Sequence, residues 1–252
     1  MKSHILLDED AGVFDLTVLG LGVGEVEGYM EFSPKEECVV CGVEQVGGIL
    51  GELGLKYATY KRCGERAKKG ELILSCAGRA KELHKAWKIS QNILEYLSGI
   101  ATYTDALIKS AREVNPKLKI ATTRKNFPGA KEMMLKGVIC GGGVPHRLGL
   151  YDSILVFKEH LEFFENDASL ESGFKRLKEE FFEKKITVEV DSFEEAKRFA
   201  VLGADILQCE KMDLEELKKC ALLKKEFPYL LLSATGGINL QNIQEFAKSG
   251  VD

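Results

Sequence analysis

Two short basic clusters stand close together in the middle of the chain. Thr123-Arg124-Lys125-Asn126 runs into Phe127-Pro128-Gly129. Cys140-Gly141-Gly142-Gly143-Val144-Pro145-His146-Arg147 follows, with Lys158 and His160 a little further on. Guanidinium forks, ammonium point charges and glycines that admit close backbone approach are what a heavily phosphorylated anion needs. Arg124, Lys125, His146, Arg147 and Lys158 are the candidate ligands for such an anion. Backbone N–H groups of glycines 141–143 and of Gly236 and Gly237, which follow Thr235, are expected to turn toward phosphate oxygens. One basic residue alone would be read as a solvated side chain paired with an acid. Five of them beside two glycine runs read as a binding site.

Glu189 and Glu210 supply the opposite charge. Such a pair can hold a magnesium ion together with substrate hydroxyls, since Mg²⁺ prefers a few carboxylates, water and phosphate. It can also stabilise a cationic, sugar-like transition state. The structural alternative is that each acid neutralises a nearby lysine. Asp191 is expected to cap the helix opened by Ser192-Phe193-Glu194-Glu195, or to lie just outside the site. Cys38-Val39-Val40-Cys41 has C-x-x-C spacing, but no second Cys or His pair accompanies it, and two valines between the thiols suit a strand. The seven cysteines are read as buried reduced thiols.

The elements that must position these residues follow from composition and rhythm. A chain of 252 residues with 45% hydrophobic and 29% charged content has room for a large α/β domain plus a smaller one. A net charge of −4 argues against a general nucleic-acid binder. No apolar run approaches the roughly 20 residues that span a bilayer. Asp8, Glu9 and Asp10 interrupt the N-terminal apolar stretch, unlike a signal peptide, so a cytoplasmic location is expected. Residues 1–30 read as a short helix and a loop, with Asp10, Asp15 and Thr17 as capping candidates. Short strands are predicted at 26–32, 38–43 and 72–77, with a helix at 45–53 and a turn at Lys68-Lys69-Gly70-Glu71. A long helix is predicted over 80–114, broken at Ser98-Gly99.

After Pro116 the rhythm is regular. Apolar strands begin near 119, 153, 186, 204 and 229, with a sixth at 251, and helices fill 130–136, 172–183, 192–202, 214–225 and 240–248. Every strand ends in polar groups: Thr123-Arg124-Lys125, Lys158-Glu159-His160, Glu189-Val190-Asp191, Glu210-Lys211 and Thr235-Gly236-Gly237. In a β/α barrel these ends converge on one rim, whereas an open sheet spreads them along a line. The predicted fold class is therefore α/β: an N-terminal α/β domain with a bridging helix over 1–102, packed on an incomplete β/α (TIM-like) barrel over 103–252. The chain stops at the start of a further strand, as if its end were missing.

Several stretches carry a family resemblance. Ser98-Gly99-Ile100-Ala101-Thr102, Thr123-Arg124-Lys125, Val188-Glu189-Val190 and Thr235-Gly236-Gly237-Ile238 occur in the order seen in the nicotinate-nucleotide pyrophosphorylases, or quinolinate phosphoribosyltransferases. The run His146-Arg147-Leu148-Gly149-Leu150-Tyr151-Asp152 is the most specific, and Glu9-Asp10-x-Gly12-x-x-Asp15-Leu16-Thr17 extends the likeness to the N-terminus. The resemblance implies transfer of phosphoribose from phosphoribosyl pyrophosphate to quinolinate, with magnesium and subsequent loss of carbon dioxide. It also implies a homodimer in which one N-terminal domain covers the partner's barrel mouth. Arg124, Lys125, His146, Arg147 and Lys158 match positions that bind the dicarboxylate and the phosphates, and Glu189 a carboxylate near the ribose hydroxyls.

Three departures stand out. Glu210 falls where the family has Asp in a Leu-Asp-Asn context, and Asn126 replaces a usual Thr. Lys88 stands where the family has an Arg that reaches into the partner's site, and an ammonium cannot make the two-pronged contact, a loss of about 1–3 kcal/mol. Trp87-Lys88-Ile89-Ser90-Gln91-Asn92 and the stretch 121–129 resemble the ModD subfamily, which is associated with molybdenum transport.

The expected function is a magnesium-dependent phosphoribosyltransferase. Lys125, Lys158, Thr235, Gly236 and Gly237 hold phosphates, Glu189 and Glu210 orient metal and ribose, and Lys88, Arg124, His146 and Arg147 position an anionic heterocyclic acceptor of the quinolinate kind. The rival reading is a molybdate- or other oxyanion-binding regulatory protein. A Schiff-base aldolase using Lys125 or Lys158 ranks last, because the surrounding cations favour phosphate over imine chemistry.

Overall fold

The computed structural model describes residues 3–252. The chain divides into two compact units, 1–106 with 121–145 and 107–120 with 146–252.

The first unit begins with helices α1 (Ser3–Asp10) and α2 (Leu16–Leu21), followed by strands β1 (Glu27–Phe32) and β2 (Cys38–Val39). Helix α3 (Val43–Glu52), strands β3 (Lys56–Thr59), β4 (Arg66–Ala67) and β5 (Leu74–Arg79), and the long helix α4 (Ala80–Arg112) come next. Strand β6 (Ala121–Thr122), helix α5 (Lys131–Cys140) and strand β7 (Val144–Pro145) complete it. β1, β5 and β3 form an antiparallel sheet in that order, β2 pairs with β4, and β6 runs parallel to β7. Val40, Val46, Ile49, Leu50 and Leu74 are fully buried in its core. Asp15 caps α2 as expected, its carboxylate accepting from the Thr17 and Val18 N–H groups at 2.9 and 3.0 Å.

The predicted break at Ser98-Gly99 does not occur: α4 runs unbroken through 33 residues. A glycine inside a helix costs only about 1 kcal/mol, and the surrounding contacts outweigh it. Leu94, Leu97 and Ala101 are buried, and the Ser98 hydroxyl accepts from the Cys41 N–H at 3.0 Å. Gly137 of α5 packs so closely on this turn that a Cβ there would lie 2.9 Å from Ile100 Cγ2.

The second unit alternates strand and helix: β8 (Ile154–Val156), α6 (Lys158–Leu161), α7 (Asp167–Glu180), β9 (Ile186–Val190), α8 (Phe193–Leu202), β10 (Ile206–Glu210), α9 (Leu214–Leu222), β11 (Leu231–Thr235) and α10 (Ile243–Ala247). Caps define the helices. Asn166, Ser192 and Asp213 accept from the N–H groups of Ser169, Glu195 and Glu216, and Gly203 ends α8 with φ of 90°. Asn166 starts α7 earlier than apolar periodicity alone suggests. Ser192, not Asp191, caps α8.

Strands β8 to β11 are parallel, and each neighbours the next in sequence. Beyond β11 the sheet continues through the end of the chain. Asp252 N–H donates to the Leu232 carbonyl at 2.9 Å, and Lys119 N–H donates to the Asp252 carbonyl at 2.9 Å. A sheet whose strand order never reverses, and which returns to the segment before its first strand, is a β/α barrel in progress rather than a doubly wound sheet.

Candidate active site at the strand ends

Side chains alternate along β9, β10 and β11, and the two faces of the sheet differ in kind. Val188, Val190, Leu207, Cys209 and Leu232 point to one face and join Phe199 and Leu217 in the core. Thr187, Glu189, Gln208, Glu210, Ser233 and Thr235 occupy the other. Register sets Glu189 beside Gln208, Gln208 beside Ser233, and Glu210 beside Thr235. The strands are thus not wholly apolar, as the sequence suggested. The apolar impression came from the helix-facing half of each strand.

Glu189 and Glu210 therefore share one polar face on adjacent strands. Gln208 Nε2 donates to Glu189 Oε2 at 2.9 Å and orients that carboxylate. Sequence reasoning passed over Gln208, although a lone amide in the middle of a strand is itself a signal. Ser233 Oγ is buried on the same face and has no hydrogen-bond partner among the described residues. Glu210 Oε1 lies 3.7 Å from Lys211 Nζ. Lys211 holds a φ of 54°, the one non-glycine residue in the left-handed region among those described. That conformation is strained for a side chain with a Cβ. Gly236 and Gly237 follow with φ of 93° and 72°, and a Cβ on Gly236 would sit 2.6 Å from Lys211 Cγ.

Lys158 opens α6 just after β8, and its Nζ lies 3.3 Å from Asp191 Oδ2. That contact raises the Lys158 pKa and keeps the ammonium charged. Arg147 is buried, its guanidinium 5.5 Å from the Phe157 ring centroid. Burial, aided by the Arg147 charge, pulls His146 below its ordinary 6.5, so it is a neutral hydrogen-bonding group at pH 7 rather than a cation. His160 is structural: its Nδ1 accepts from the Phe157 N–H at 2.9 Å.

In the first unit, Arg124 and Lys125 lie on the exposed loop after β6. The Thr123 hydroxyl accepts from the Lys125 N–H at 3.3 Å, and the Arg124 carbonyl from the Asn126 N–H at 2.8 Å. The expectation that glycines 141–143 present N–H groups to phosphate is overturned. Those three N–H groups bond the carbonyls of Gly137, Ile139 and Val138 and end α5. Gly141 and Gly143 are required by space instead, and Gly142 by its left-handed φ of 88°. A Cβ on Gly141 would meet the Ala101 carbonyl at 2.4 Å, and one on Gly143 would meet Thr104 Cγ2 at 2.9 Å. Lys88 stands on α4. Its Nζ donates to Gln91 Oε1 at 3.1 Å and lies 4.5 Å from the Trp87 ring centroid.

The chain matches family models on both sides of this division. The quinolinate phosphoribosyl transferase N-terminal domain matches residues 15–98 and the C-terminal domain residues 100–252. It is 34% identical to the "Putative pyrophosphorylase ModD" of Pasteurella multocida over 96% of this chain and 86% of that protein. It is 31% identical to the "Probable nicotinate-nucleotide pyrophosphorylase (carboxylating)" of Methanocaldococcus jannaschii over 98% of this chain and 87% of that one. The nicotinate-nucleotide pyrophosphorylase of Francisella tularensis shares the fold, with a TM-score of 0.90, 24% identity, and coverage of 99% of this chain and 87% of that one. The chain belongs to the quinolinate phosphoribosyl transferase family.

Proposed function

We propose that the protein is a phosphoribosyltransferase that uses phosphoribosyl pyrophosphate and an anionic heterocyclic acceptor of the quinolinate kind. The observation that carries this reading is the polar sheet face, where Gln208 and Ser233 within the strands lead to Glu189, Glu210 and Thr235 at the carboxyl ends of parallel strands. That is the end of a β/α barrel at which ligands bind. Glu189, oriented by Gln208, holds the ribose and stabilises positive charge developing at the sugar carbon as pyrophosphate leaves. Lys125, Lys158, Thr235, Gly236 and Gly237 contact phosphate oxygens, and Arg124, His146 and Arg147 take the acceptor's carboxylates.

A magnesium ion fits the donor set. Two carboxylates on one face offer hard oxygens, and the buried Ser233 hydroxyl on the same face has no partner among the described residues. Glu189 and Glu210 would hold the ion together with substrate oxygens, and its chemistry would be to offset the charge of the departing pyrophosphate.

We further propose that the working species is a cytoplasmic homodimer in which Lys88 serves the partner's site. Exposed Val13, Phe14, Leu16, Leu19 and Leu21 in the first unit support a covered surface there. Sedimentation of the purified protein tests this, and a monomer at micromolar concentration overturns it. The activity is tested with phosphoribosyl pyrophosphate, Mg²⁺ and a panel of pyridine and related carboxylates. Pyrophosphate release with at least one acceptor is expected. No release with any of them, together with tight molybdate binding by calorimetry, would instead make the chain an oxyanion-binding protein.

A further inference from the structure

Three cysteines far apart in sequence meet in the first unit. The sulfurs of Cys41, Cys63 and Cys140 lie within 4.8 Å of one another, and Cys38, the other half of the C-x-x-C spacing, is not among them. Each comes from a differently anchored segment. Cys41 follows β2, and the Ser98 hydroxyl fixes its N–H at 3.0 Å. Cys63 sits in the turn between β3 and β4, latched by Gly64 N–H to the Val40 carbonyl and by Val40 N–H to the Glu65 carbonyl, both at 2.8 Å. Cys140 is the last residue of α5, pinned by the close packing of Gly141 on α4. The convergence is therefore held by the surrounding backbone.

We propose that Cys41, Cys63 and Cys140 form a binding site for a thiophilic divalent cation of the zinc class. Three sulfur donors select such a cation over magnesium. Zinc–sulfur bonds of about 2.3 Å in tetrahedral geometry place sulfurs about 3.8 Å apart, so closure requires movements of under about 1 Å. Solvent supplies the fourth ligand, and the Glu44 carboxylate, its Oε2 2.7 Å from Cys63 Sγ, is placed to take up the Cys63 proton. The charges also close. Three thiols give up three protons on binding, which leaves one net negative charge with a divalent ion, and Lys136 stands beside the cluster. Its Nζ lies 2.5 Å from Glu44 Oε2 and 2.8 Å from Gln45 Oε1. In the metal-free cluster the Cys41 thiol lowers the pKa of Cys63, while that pairing raises Cys41 and burial raises Cys140, so the cation itself must draw off the remaining protons. Cys63 and Cys140 are only half-buried, which leaves an entry path.

The test is Co²⁺ titration of the reduced, metal-stripped protein under anaerobic conditions, followed by displacement with Zn²⁺. One equivalent should bind, with thiolate-to-cobalt charge-transfer absorption that Zn²⁺ bleaches. Cys63→Ser and Cys140→Ser should each weaken Co²⁺ binding by at least about 100-fold, and Cys38→Ser and Cys220→Ser should leave it unchanged. Should the cluster variants unfold, the wild type still decides: one equivalent of Zn²⁺ must slow alkylation of Cys63 and Cys140, read by peptide mass spectrometry. Absence of the charge-transfer band, its persistence in both cluster variants, or alkylation indifferent to Zn²⁺ overturns the proposal.

Discussion

Glu189 and Gln208 are the residues on which the proposed chemistry turns. Glu189→Gln keeps the shape and the neighbouring amide but removes the charge, so kcat should fall by about 100- to 1,000-fold with little change in melting temperature. Steady-state kinetics beside a thermal melt would check this. His146 carries a different kind of prediction. Its folded pKa lies below the ordinary 6.5, first through burial and then through Arg147, so the unfolded chain binds the proton more readily. Its contribution to stability is full above pH 6.5 and is lost as pH falls from there through the lower folded-state pKa. In His146→Gln the melting temperature should decline less between pH 7.5 and pH 5 than in the wild type, as differential scanning fluorimetry across that range would show. Much at this scale was legible in the sequence. Glu189, Glu210, Lys158 and Arg147 were singled out because charged residues at apolar strand ends are conspicuous. Gln208 and Ser233 were not, because an uncharged polar residue inside a strand betrays its role only when register shows what stands beside it.

At the scale of elements, α4 organises the first unit through hydroxyl groups as well as apolar packing. Ser98 Oγ both accepts from the Cys41 N–H and donates to the Cys41 carbonyl, and the N–H is buried. Ser98→Ala strands both backbone groups and should cost about 1–3 kcal/mol, measurable by urea denaturation. The sequence marked Ser98-Gly99 as a break because serine and glycine disfavour helix interiors. It could not reveal that the serine was answering the backbone just past β2, 57 residues away. Glycines 141–143 taught the complementary lesson. A glycine run is equally the mark of a phosphate cradle and of backbone pressed against a helix, and only the Ala101 and Thr104 contacts distinguish the two. Strand–helix alternation after residue 150 was legible because each strand carries its own apolar half and the helices between them are amphipathic.

At the scale of the whole molecule, the two units hold hydrophobic cores with no buried residue in common. Damage to one core should therefore register first in its own unit. Phe199 is 1% exposed, and Phe199→Ala should cost about 3–5 kcal/mol. Hydrogen-exchange mass spectrometry should show lost protection in β9 to β11 and α8, with α3 and β5 protected as before. Equal loss in both units would mean that they unfold together. Sequence rhythm placed the change between the two patterns near residue 102; by compactness, residues 121–145 group with 1–106. The short β6–β7 pair and α5 follow the β/α rhythm of what comes after them, so periodicity alone could not allot them to the first unit.

The short ribbon of β2 and β4 has one more consequence. An isolated two-stranded ribbon ordinarily leaves a row of open N–H groups against which another chain can pair. Here Thr102 Oγ1 accepts from the Val39 N–H at 2.9 Å, and Ser98 takes that of Cys41. Two hydroxyls one helical turn apart thus close the outer edge of β2, where proteins more often use a charge, a bulge or another strand. The same side chains that tether the ribbon also keep it from templating aggregation.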